Sequence, residues 1–274
     1  MGDVIGFIGA GQLGEPMVRR LVAAGHRVQA YARRGEVRER LASAGAAVSD
    51  SIAAVAAAGD VLISCLFSDA QLLDVGSGPD GIAANARPGC VFVSHTTGTT
   101  ATLRMLEKWS TGALRICDAP VSGTAHDIER GELTVLLGGR DEAVERARPV
   151  LGAYASVVMA TGELGSALAV KLINNVLFAA NAQLVAAAVE SGGSLGVQPE
   201  VLLDALAVCS GGSAAAAHVR RLGGPRRFAD AVSAFLAKDI DAARAAADAV
   251  GVDLGLLERT ATDGPLALRV PFGG

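Results

Sequence analysis

The sequence predicts an α/β fold, with a mainly parallel sheet in its first half and helices alone in its second half. Strand-like and helix-like segments alternate regularly up to residue 161, which is typical of a parallel sheet covered by helices on both faces. From residue 162 onward strand signals stop, and the chain is helical, rich in alanine and interrupted by glycine pairs. We therefore expect an α/β domain over residues 1–161 and an all-helical domain over residues 162–274.

The composition limits the classes of partner. Half of the residues (51%) are hydrophobic, which is enough for a sizeable core. The net charge of −4 gives no general attraction to nucleic acid or to an anionic membrane. The four cysteines are scattered without a C-x-x-C pair, and three of them end or flank apolar runs, as expected for buried thiols in a reducing compartment. We find no signal-peptide pattern and no apolar stretch long and uninterrupted enough to span a bilayer, so we expect a cytoplasmic protein without a membrane partner.

The chain opens with an apolar strand-like run that leads directly into a G-x-G-x-x-G turn. In such a turn Gly9 allows a tight bend, Gly11 lets a pyrophosphate approach the backbone, and Gly14 lets the next helix pack close to the strand. The helix predicted over residues 15–24 then presents free N–H groups to the phosphates. The alternative is a plain glycine-rich turn, but the position between strand and helix favours a Rossmann-like dinucleotide site. The residues assigned to the cofactor here are Gly9, Ala10, Gly11, Gln12, Leu13 and Gly14.

The end of the second predicted strand, residues 26–31, bears on the choice of cofactor. NAD sites usually carry an acidic residue at this point, which binds the ribose 2′-hydroxyl. Here the chain continues as Ala32-Arg33-Arg34, and the first acidic residue after the strand is Glu36. Because guanidinium groups bind a phosphate through paired charge-assisted hydrogen bonds, Arg33 and Arg34 favour NADP over NAD. The alternative is that both arginines are solvated side chains at the start of the next helix.

Three polar loops are predicted to line one crevice. They follow successive predicted strands and comprise Ser68-Asp69, residues 94–98 and residues 118–124. The carboxyl ends of parallel strands meet at one edge of a sheet, where ligands bind in this class of fold. The other predicted elements are helices over residues 36–44, 51–58 and 99–109, a helix capped by Ser68-Asp69, and strands over residues 46–48, 60–66, 90–93, 114–117 and 155–159.

A long helix is predicted over residues 163–191. At ~1.5 Å per residue it would extend for about 40 Å, more than a small domain can cover. We therefore expect it to join the two domains and to pack against another subunit.

Four segments carry a resemblance to a known family. They are GFIGAGQLGEPM (residues 6–17), DAPVSGTAHDIERGELTVLLGG (118–139), GELGSALAVKLINN (162–175) and FLAKDIDAA (235–243). Together and in this order they resemble the β-hydroxyacid dehydrogenase family, which includes 3-hydroxyisobutyrate dehydrogenase and tartronate semialdehyde reductase. The resemblance implies a Rossmann-like domain related to that of 6-phosphogluconate dehydrogenase, a long linking helix and an all-helical domain, in a homo-oligomer (dimer or tetramer).

The resemblance also implies roles for single residues. Lys171 matches the family's catalytic lysine and Asn175 the asparagine that steadies the substrate, and their i, i+4 spacing places them on one face of a helix. The substrate-binding turn, usually Ser-Gly-Gly in the family, corresponds to Ser122, Gly123 and Thr124. Cofactor contacts are assigned to Leu66, Thr97 and Lys238, and Arg33 stands where NADP-preferring relatives carry arginine.

Several positions depart from the family pattern. Ser94-His95-Thr96 replaces a segment that often holds an acidic residue, residues 125–128 are bulkier and more polar than usual, and Ala167 replaces a common glycine. Related 6-phosphogluconate dehydrogenases have a glutamate where this chain has Phe178, so we do not expect decarboxylation that uses this acid. Imine reductases of similar architecture usually replace the lysine that is retained here.

The predicted reaction is hydride transfer between NADP(H) and a small β-hydroxy acid or its semialdehyde, a small carboxylate substrate. Lys171 would move the hydroxyl proton, since burial next to a cationic nicotinamide lowers a lysine pKa from its usual ~10.4. The alternatives are an imine reductase-like NADPH enzyme and a non-catalytic dinucleotide-binding protein that acts in assembly. For Lys171 itself the alternative is a solvated lysine on an amphipathic helix.

The remaining polar residues indicate less specific functions. His95 and His126 lie on predicted crevice loops, where they could tune substrate choice or be ordinary surface residues, while His26 and His218 are expected to be structural. Asp127 and Glu129 are predicted to be charges at the start of a helix rather than a general-acid pair. No spacing of ligands indicates a metal. The arginines of residues 33–40 alternate with glutamates and indicate a solvated helix rather than a nucleic-acid site.

Overall fold

The computed structural model describes residues 3–268. Packing divides the chain into two compact units, Met1–Lys171 and Leu172–Gly274. The boundary predicted between residues 161 and 162 stays a prediction.

The first unit alternates strands and helices. Its strands are β1 (Val4–Ile8), β2 (Arg27–Tyr31), β3 (Ala47–Ser49), β4 (Val61–Ser64), β5 (Cys90–Ser94), β6 (Leu114–Asp118), β7 (Val121–Ser122), β8 (Leu133–Gly138) and β9 (Ala155–Gly162). Its helices are α1 (Gly14–Ala23), α2 (Gly35–Ser43), α3 (Ile52–Ala58), α4 (Asp69–Gly76), α5 (Ile82–Asn85), α6 (Thr100–Trp109), α7 (Ala125–Arg130) and α8 (Asp141–Leu151). Each element predicted for this unit is present, with its ends displaced by at most three residues.

Within residues 3–268 the strands form one sheet of nine, in the order β3-β2-β1-β4-β5-β6-β8-β7, with β9 pairing with β8. Strands β1 to β6 run parallel to one another, while β8 runs antiparallel to β6 and β7 and parallel to β9. The mainly parallel, Rossmann-like sheet is thereby confirmed. No strand is predicted over residues 121–138, where β7 and β8 form, because regular alternation does not indicate an antiparallel insertion.

Both faces of the sheet are buried. Alternate residues of each strand point to opposite faces, so Ile63, Val93 and Cys117 enter one core. Leu62 and Phe92 enter the core on the other face. Burial on both sides explains why these strands are nearly continuous apolar runs in the sequence.

In its described part, residues 172–268, the second unit consists of helices and the loops between them, with no strand, which confirms the predicted all-helical region. Helix α9 (Ser166–Ser194) begins in the first unit, and α10 (Pro199–Leu206), α11 (Ala214–Arg221), α12 (Pro225–Asp248) and α13 (Gly255–Thr262) follow. Val176, Phe228 and Ile240 lie in the core of this unit. The side chain of Gln183 is buried there too: its amide group donates to the carbonyl oxygens of Ala261 (3.1 Å) and Leu266 (2.9 Å), and its oxygen accepts from the N–H of Leu266 (2.7 Å).

Helix α9 is 29 residues long. By length and composition it could cross a membrane, so the expectation that no apolar stretch is long enough for this is wrong. Half of its most apolar stretch is buried within the protein, and the core helix of a soluble protein meets the same two criteria. The helix alone is therefore weak support for a membrane span.

Candidate active site

The glycine turn between β1 and α1 has the geometry that a dinucleotide requires. Gly9 has a φ of +99°, and a Cβ there would lie 2.3 Å from the carbonyl oxygen of Cys65. A Cβ on Gly14 would lie 2.1 Å from the carbonyl oxygen of Gly9. A Cβ on Gly11 would meet nothing within 4 Å, so the backbone there faces open space. Gly9 and Gly14 thus serve the fold, and Gly11 leaves the room that a pyrophosphate needs.

The start of α1 combines a helix N-terminus without a side-chain cap and a carboxylate paired with arginines. Its N-cap residue, Leu13, contributes no side-chain hydrogen bond to the first N–H groups of the helix. Glu15, in the first turn, forms ion pairs with Arg40 (2.8 Å) and Arg19 (2.9 Å). The hydrogen bond from Arg40, opposed by partial burial and aided by Arg19, lowers the pKa of Glu15 to about 2. The positive charges of Arg19 and Arg40 therefore offset the negative charge of Glu15 in this turn.

Two exposed arginines follow the carboxyl end of β2. Nη1 of Arg38 donates to the carbonyl oxygens of Ala32 and Arg33, both at 3.0 Å, and so fixes the backbone that carries Arg33 and Arg34. Arg34 forms an exposed ion pair with Glu36 at 3.4 Å, and such pairs are weak. Within residues 3–268 the guanidinium of Arg33 has neither a hydrogen bond nor an ion pair. Both groups fit the binding of a phosphate at this edge.

The three polar loops that were expected to share a crevice begin at the same edge of the sheet. Ser64, Ser94 and Asp118 pair in register across β4, β5 and β6. Oδ2 of Asp69, next to the first of these loops, accepts from the N–H of Thr99 at 2.9 Å. In the described part of the chain the buried hydroxyls of Ser64, Ser94 and Thr96 have no hydrogen-bond partner. This edge is thus lined with polar groups.

His95 is buried rather than exposed on a loop. Its Nδ1 lies 2.5 Å from the carbonyl oxygen of Ala119, and its Nε2 lies 2.8 Å from the hydroxyl of Tyr154. Burial lowers the pKa of His95 to about 4, although the contact with the Ala119 carbonyl opposes this. A neutral ring satisfies both partners, with Nδ1–H donating to Ala119 and Nε2 accepting from Tyr154. The surface interpretation of His95 is therefore wrong, whereas His126 is exposed and lies 3.7 Å from Glu129.

The predicted substrate-binding turn leads from β7 into α7. Ser122 is exposed at the end of β7, and Gly123 has a φ of +135°. Thr124 is the N-cap of α7: its hydroxyl accepts from the N–H of Asp127 at 3.4 Å, and Oδ2 of Asp127 accepts from the N–H and hydroxyl of Thr124, both at 2.7 Å. Asp127 is thus a capping residue, in agreement with its interpretation as a helix-start charge.

The start of α9 is attached to the end of β6. The buried carboxylate of Asp118 accepts from the N–H of Gly165 (Oδ1, 2.8 Å) and from the N–H of Leu168 (Oδ2, 2.7 Å). Lys171, which is partly buried, follows Leu168 by three residues on the same helix. In the sequence Asp118 stands out only as the first residue of a predicted polar loop and of a family segment. A charged residue at the end of an apolar strand was the available signal.

In the second unit one carboxylate contacts two predicted site residues. Nδ2 of Asn175 donates to Oδ2 of Asp239 at 2.5 Å. Nζ of Lys238 lies 3.2 Å from Oδ1 of Asp239, which is buried. Sequence reasoning missed Asp239, although it stands next to Lys238 in a family segment. Phe178 packs edge-on against His218 with the ring centroids 5.6 Å apart, a structural contact.

Comparison with known proteins decides the family. The NAD-binding domain of 6-phosphogluconate dehydrogenase matches residues 4–162, and the NAD-binding region of NADP-dependent 3-hydroxyisobutyrate dehydrogenase matches residues 165–262. The chain belongs to the β-hydroxyacid dehydrogenase family. The family is one of NAD(P)-dependent hydroxyacid dehydrogenases, and this chain carries its NAD(P)-binding domain.

Other β-hydroxyacid dehydrogenases and related oxidoreductases are similar over most of the chain. An uncharacterised oxidoreductase of Synechocystis sp. is 34% identical over 96% of this chain and 87% of its own length. The 2-(hydroxymethyl)glutarate dehydrogenase of Eubacterium barkeri is 31% identical over 76% of this chain and 70% of its own. The mitochondrial 3-hydroxyisobutyrate dehydrogenase of Rattus norvegicus is 32% identical over 76% of this chain and 62% of its own.

Solved structures of the family have the same fold. The 3-hydroxyisobutyrate dehydrogenase of Mycobacterium tuberculosis, determined with L-serine, matches with a TM-score of 0.83 and 28% identity over 96% of this chain and 92% of its own. An imine reductase from Pseudomonas sp. matches with a TM-score of 0.60 and 20% identity over 92% of this chain and 78% of its own. At that identity the imine reductase shares the fold alone.

Proposed function

We propose that this protein is an NADP-dependent oxidoreductase that transfers a hydride between NADP(H) and a small β-hydroxy acid or its semialdehyde. Lys171 is the general acid and base of this reaction. The observation that carries the proposal is the attachment of the start of α9 to Asp118, because it ties the helix that bears Lys171 to the polar edge of the sheet. The glycine turn stands at the same edge, where ligands bind in such folds.

The residues of the first unit fit NADP. The open space at Gly11 suits a pyrophosphate, and the two exposed guanidinium groups of Arg33 and Arg34 suit a 2′-phosphate. Further contacts are proposed for Leu66, Thr97 and Lys238. When bound, the nicotinamide supplies or accepts the hydride.

Protein side chains move the proton and hold the substrate. In the reducing direction the ammonium of Lys171 donates a proton to the carbonyl oxygen, and in the oxidising direction the neutral amine accepts it from the hydroxyl. The turn at Ser122 and Gly123 binds the substrate carboxylate through its N–H groups and hydroxyl. Asn175 steadies a substrate oxygen, and the hydrogen bond to Asp239 orients its amide.

NADPH oxidation with a panel of small semialdehydes tests the proposal. Lys171→Ala should abolish turnover and leave NADPH binding, followed by fluorescence, unchanged. Lys108→Ala is the matched control, since Lys108 is the other lysine of the first unit and is exposed near the end of α6. Turnover that survives Lys171→Ala would contradict the assigned role, and turnover of cyclic imines alone would favour the imine reductase alternative. NADPH binding without any turnover would favour the non-catalytic alternative.

We also propose a homo-oligomer, a dimer or tetramer, that assembles through α9. Ile173, Leu177 and Leu184 are each about half exposed, and their spacing of four and seven residues aligns them along one face of the helix. An apolar stripe of this kind on a soluble protein marks an interaction surface. Sedimentation velocity should show an oligomer for the wild type and a smaller species for Leu177→Glu.

The cytoplasm remains the proposed location, because all four cysteines are free thiols.

A further inference from the structure

The carboxylate of Asp118 accepts hydrogen bonds from N–H groups at the start of α9 that have no acceptor within the helix. The first N–H groups of a helix have no partner within the helix and must find one elsewhere. At the start of α9 both carboxylate oxygens of Asp118 fill this role, one for Gly165 and one for Leu168. Asp118 is fully buried at the end of β6, 47 residues before Gly165. The contact therefore fixes this helix start directly to the sheet.

Two glycines make the approach possible. A Cβ on Gly138, in β8, would lie 2.5 Å from Oδ1 of Asp118 and 3.1 Å from the backbone nitrogen of Ala167. Gly165 has a φ of +99°, and a Cβ there would lie 2.4 Å from Oγ1 of Thr100. Larger residues at either position would push the helix start away from the carboxylate. The space around this contact is thus limited on two sides.

The contact is suited to a carboxylate rather than an amide. Burial raises the pKa of Asp118, and the hydrogen bonds from Gly165 and Leu168 oppose that rise. Each of the two N–H groups needs an acceptor oxygen, and an ionised carboxylate presents two, whereas an asparagine presents one. A negative charge at this point also interacts favourably with the positive end of the helix dipole.

We propose that Asp118 is a positioning residue for the amine of Lys171, a role that deepens the proposed function and rests on it. The helix continues unbroken from Leu168 to Lys171, a rise of about 4.5 Å. Fixing Leu168 therefore fixes the backbone that carries the lysine. A displacement of the amine by about 1 Å is enough to lower a rate by about a hundredfold.

The scarcity of lysine allows a direct test. Of the 24 lysine and arginine residues only three are lysines: Lys108, Lys171 and Lys238. Reductive methylation with ¹³C-formaldehyde labels these amines and the N-terminus, and a pH titration of each NMR signal gives its pKa. Lys→Arg variants assign the signals. The measurement reads the state of Lys171 whether or not a substrate is known.

In Asp118→Asn the Lys171 signal should titrate at a lower pH, because the negative charge that binds the N–H of Leu168, three residues before Lys171, is lost. The Lys108 signal should not move. Turnover should fall by about tenfold to a hundredfold, with the Kd for NADPH within about twofold of the wild type. The matched control is Asp60→Asn: Asp60 also accepts a backbone N–H, that of Val4 at 2.9 Å, but stands before β4 at the opposite edge of the sheet. It should leave the Lys171 titration unchanged.

The proposal is wrong if Asp118→Asn leaves the Lys171 titration at its wild-type value, or if Asp60→Asn moves it equally. Turnover within twofold of the wild type would overturn it as well. If Asp118→Asn does not fold, hydrogen exchange on the wild type decides: the amides of Gly165 and Leu168 should be protected, and rapid exchange there would refute the contact. The proposed function fails separately, when Lys171→Ala keeps its turnover.

Discussion

The Nε2 atom of His95 lies 2.8 Å from the hydroxyl of Tyr154, and both side chains are buried. The ring connects the end of β5, the carbonyl of Ala119 after β6, and the segment that follows α8. Because the ring is buried, the site requires the neutral form of the imidazole. Two consequences for stability follow from this requirement.

Stability should fall as the pH is lowered from 6.5 to 4.5. His95 has a pKa of about 4 in the folded protein and 6.5 as its ordinary value, so the unfolded state binds more protons in this window. The free energy of unfolding should drop by about 1–2 kcal/mol from this residue alone. Urea unfolding at the two pH values measures the change. His95→Gln should show a smaller drop, and an equal drop in the variant would contradict the assignment.

Tyr154→Phe should destabilise the protein at neutral pH. The variant leaves Nε2 of His95 buried without a donor, which costs about 1–3 kcal/mol. An unchanged midpoint of urea unfolding would show that the hydroxyl contributes nothing.

Alanine substitutions should separate the roles of the glycines in the first turn. Gly14→Ala should lower the free energy of unfolding by about 2 kcal/mol or more, because the new methyl group would collide with the carbonyl of Gly9. Gly11→Ala should change it by less than about 0.5 kcal/mol, since its methyl group meets open space. Only Gly11→Ala should fold normally and yet bind NADPH at least about tenfold more weakly. Normal NADPH binding by Gly11→Ala would place the pyrophosphate elsewhere.

Arg33→Ala should reduce affinity for NADPH and spare that for NADH. A charge-assisted hydrogen bond contributes about 1.5–3 kcal/mol, so the Kd for NADPH should rise about tenfold to a hundredfold. NADH serves as the internal control because it lacks the 2′-phosphate. Fluorescence titrations with both cofactors make the measurement, and an equal loss for both would remove the support for NADP.

Arg40→Ala should weaken NADPH binding by exposing the charge of Glu15. The carboxylate stands in the first turn of α1, and its main ion-pair partner would be lost. An uncompensated charge at such a position changes binding by about twofold to fivefold. Adding Glu15→Gln to Arg40→Ala should restore the affinity. If the double variant binds as weakly as the single one, Arg40 acts in some other way.

The parts of this molecule that depend on local periodicity were predictable from the sequence. The glycine turn and the strands of the parallel sheet are patterns within a few residues, and both are present. The contacts of His95 with Tyr154, of Asp118 with Gly165 and of Asn175 with Asp239 join residues 59, 47 and 64 positions apart. No periodicity encodes such pairs. Strand β8 was missed because it interrupts the strand–helix alternation and runs antiparallel to β6 and to the two-residue strand β7.

The buried side chain of Gln183 depends on a distant segment of the chain for its hydrogen bonds. Its amide uses the carbonyl oxygens of Ala261 and Leu266 and the N–H of Leu266, and a Cβ on Gly264 would lie 2.4 Å from its oxygen. Residues 264–268 contain neither helix nor strand, yet they satisfy a polar group that lies inside the helical core. A chain shortened before Leu266 would leave that amide buried with groups unpaired. These residues therefore cover the core of the helical unit, and a truncation that removes them would expose that core to solvent.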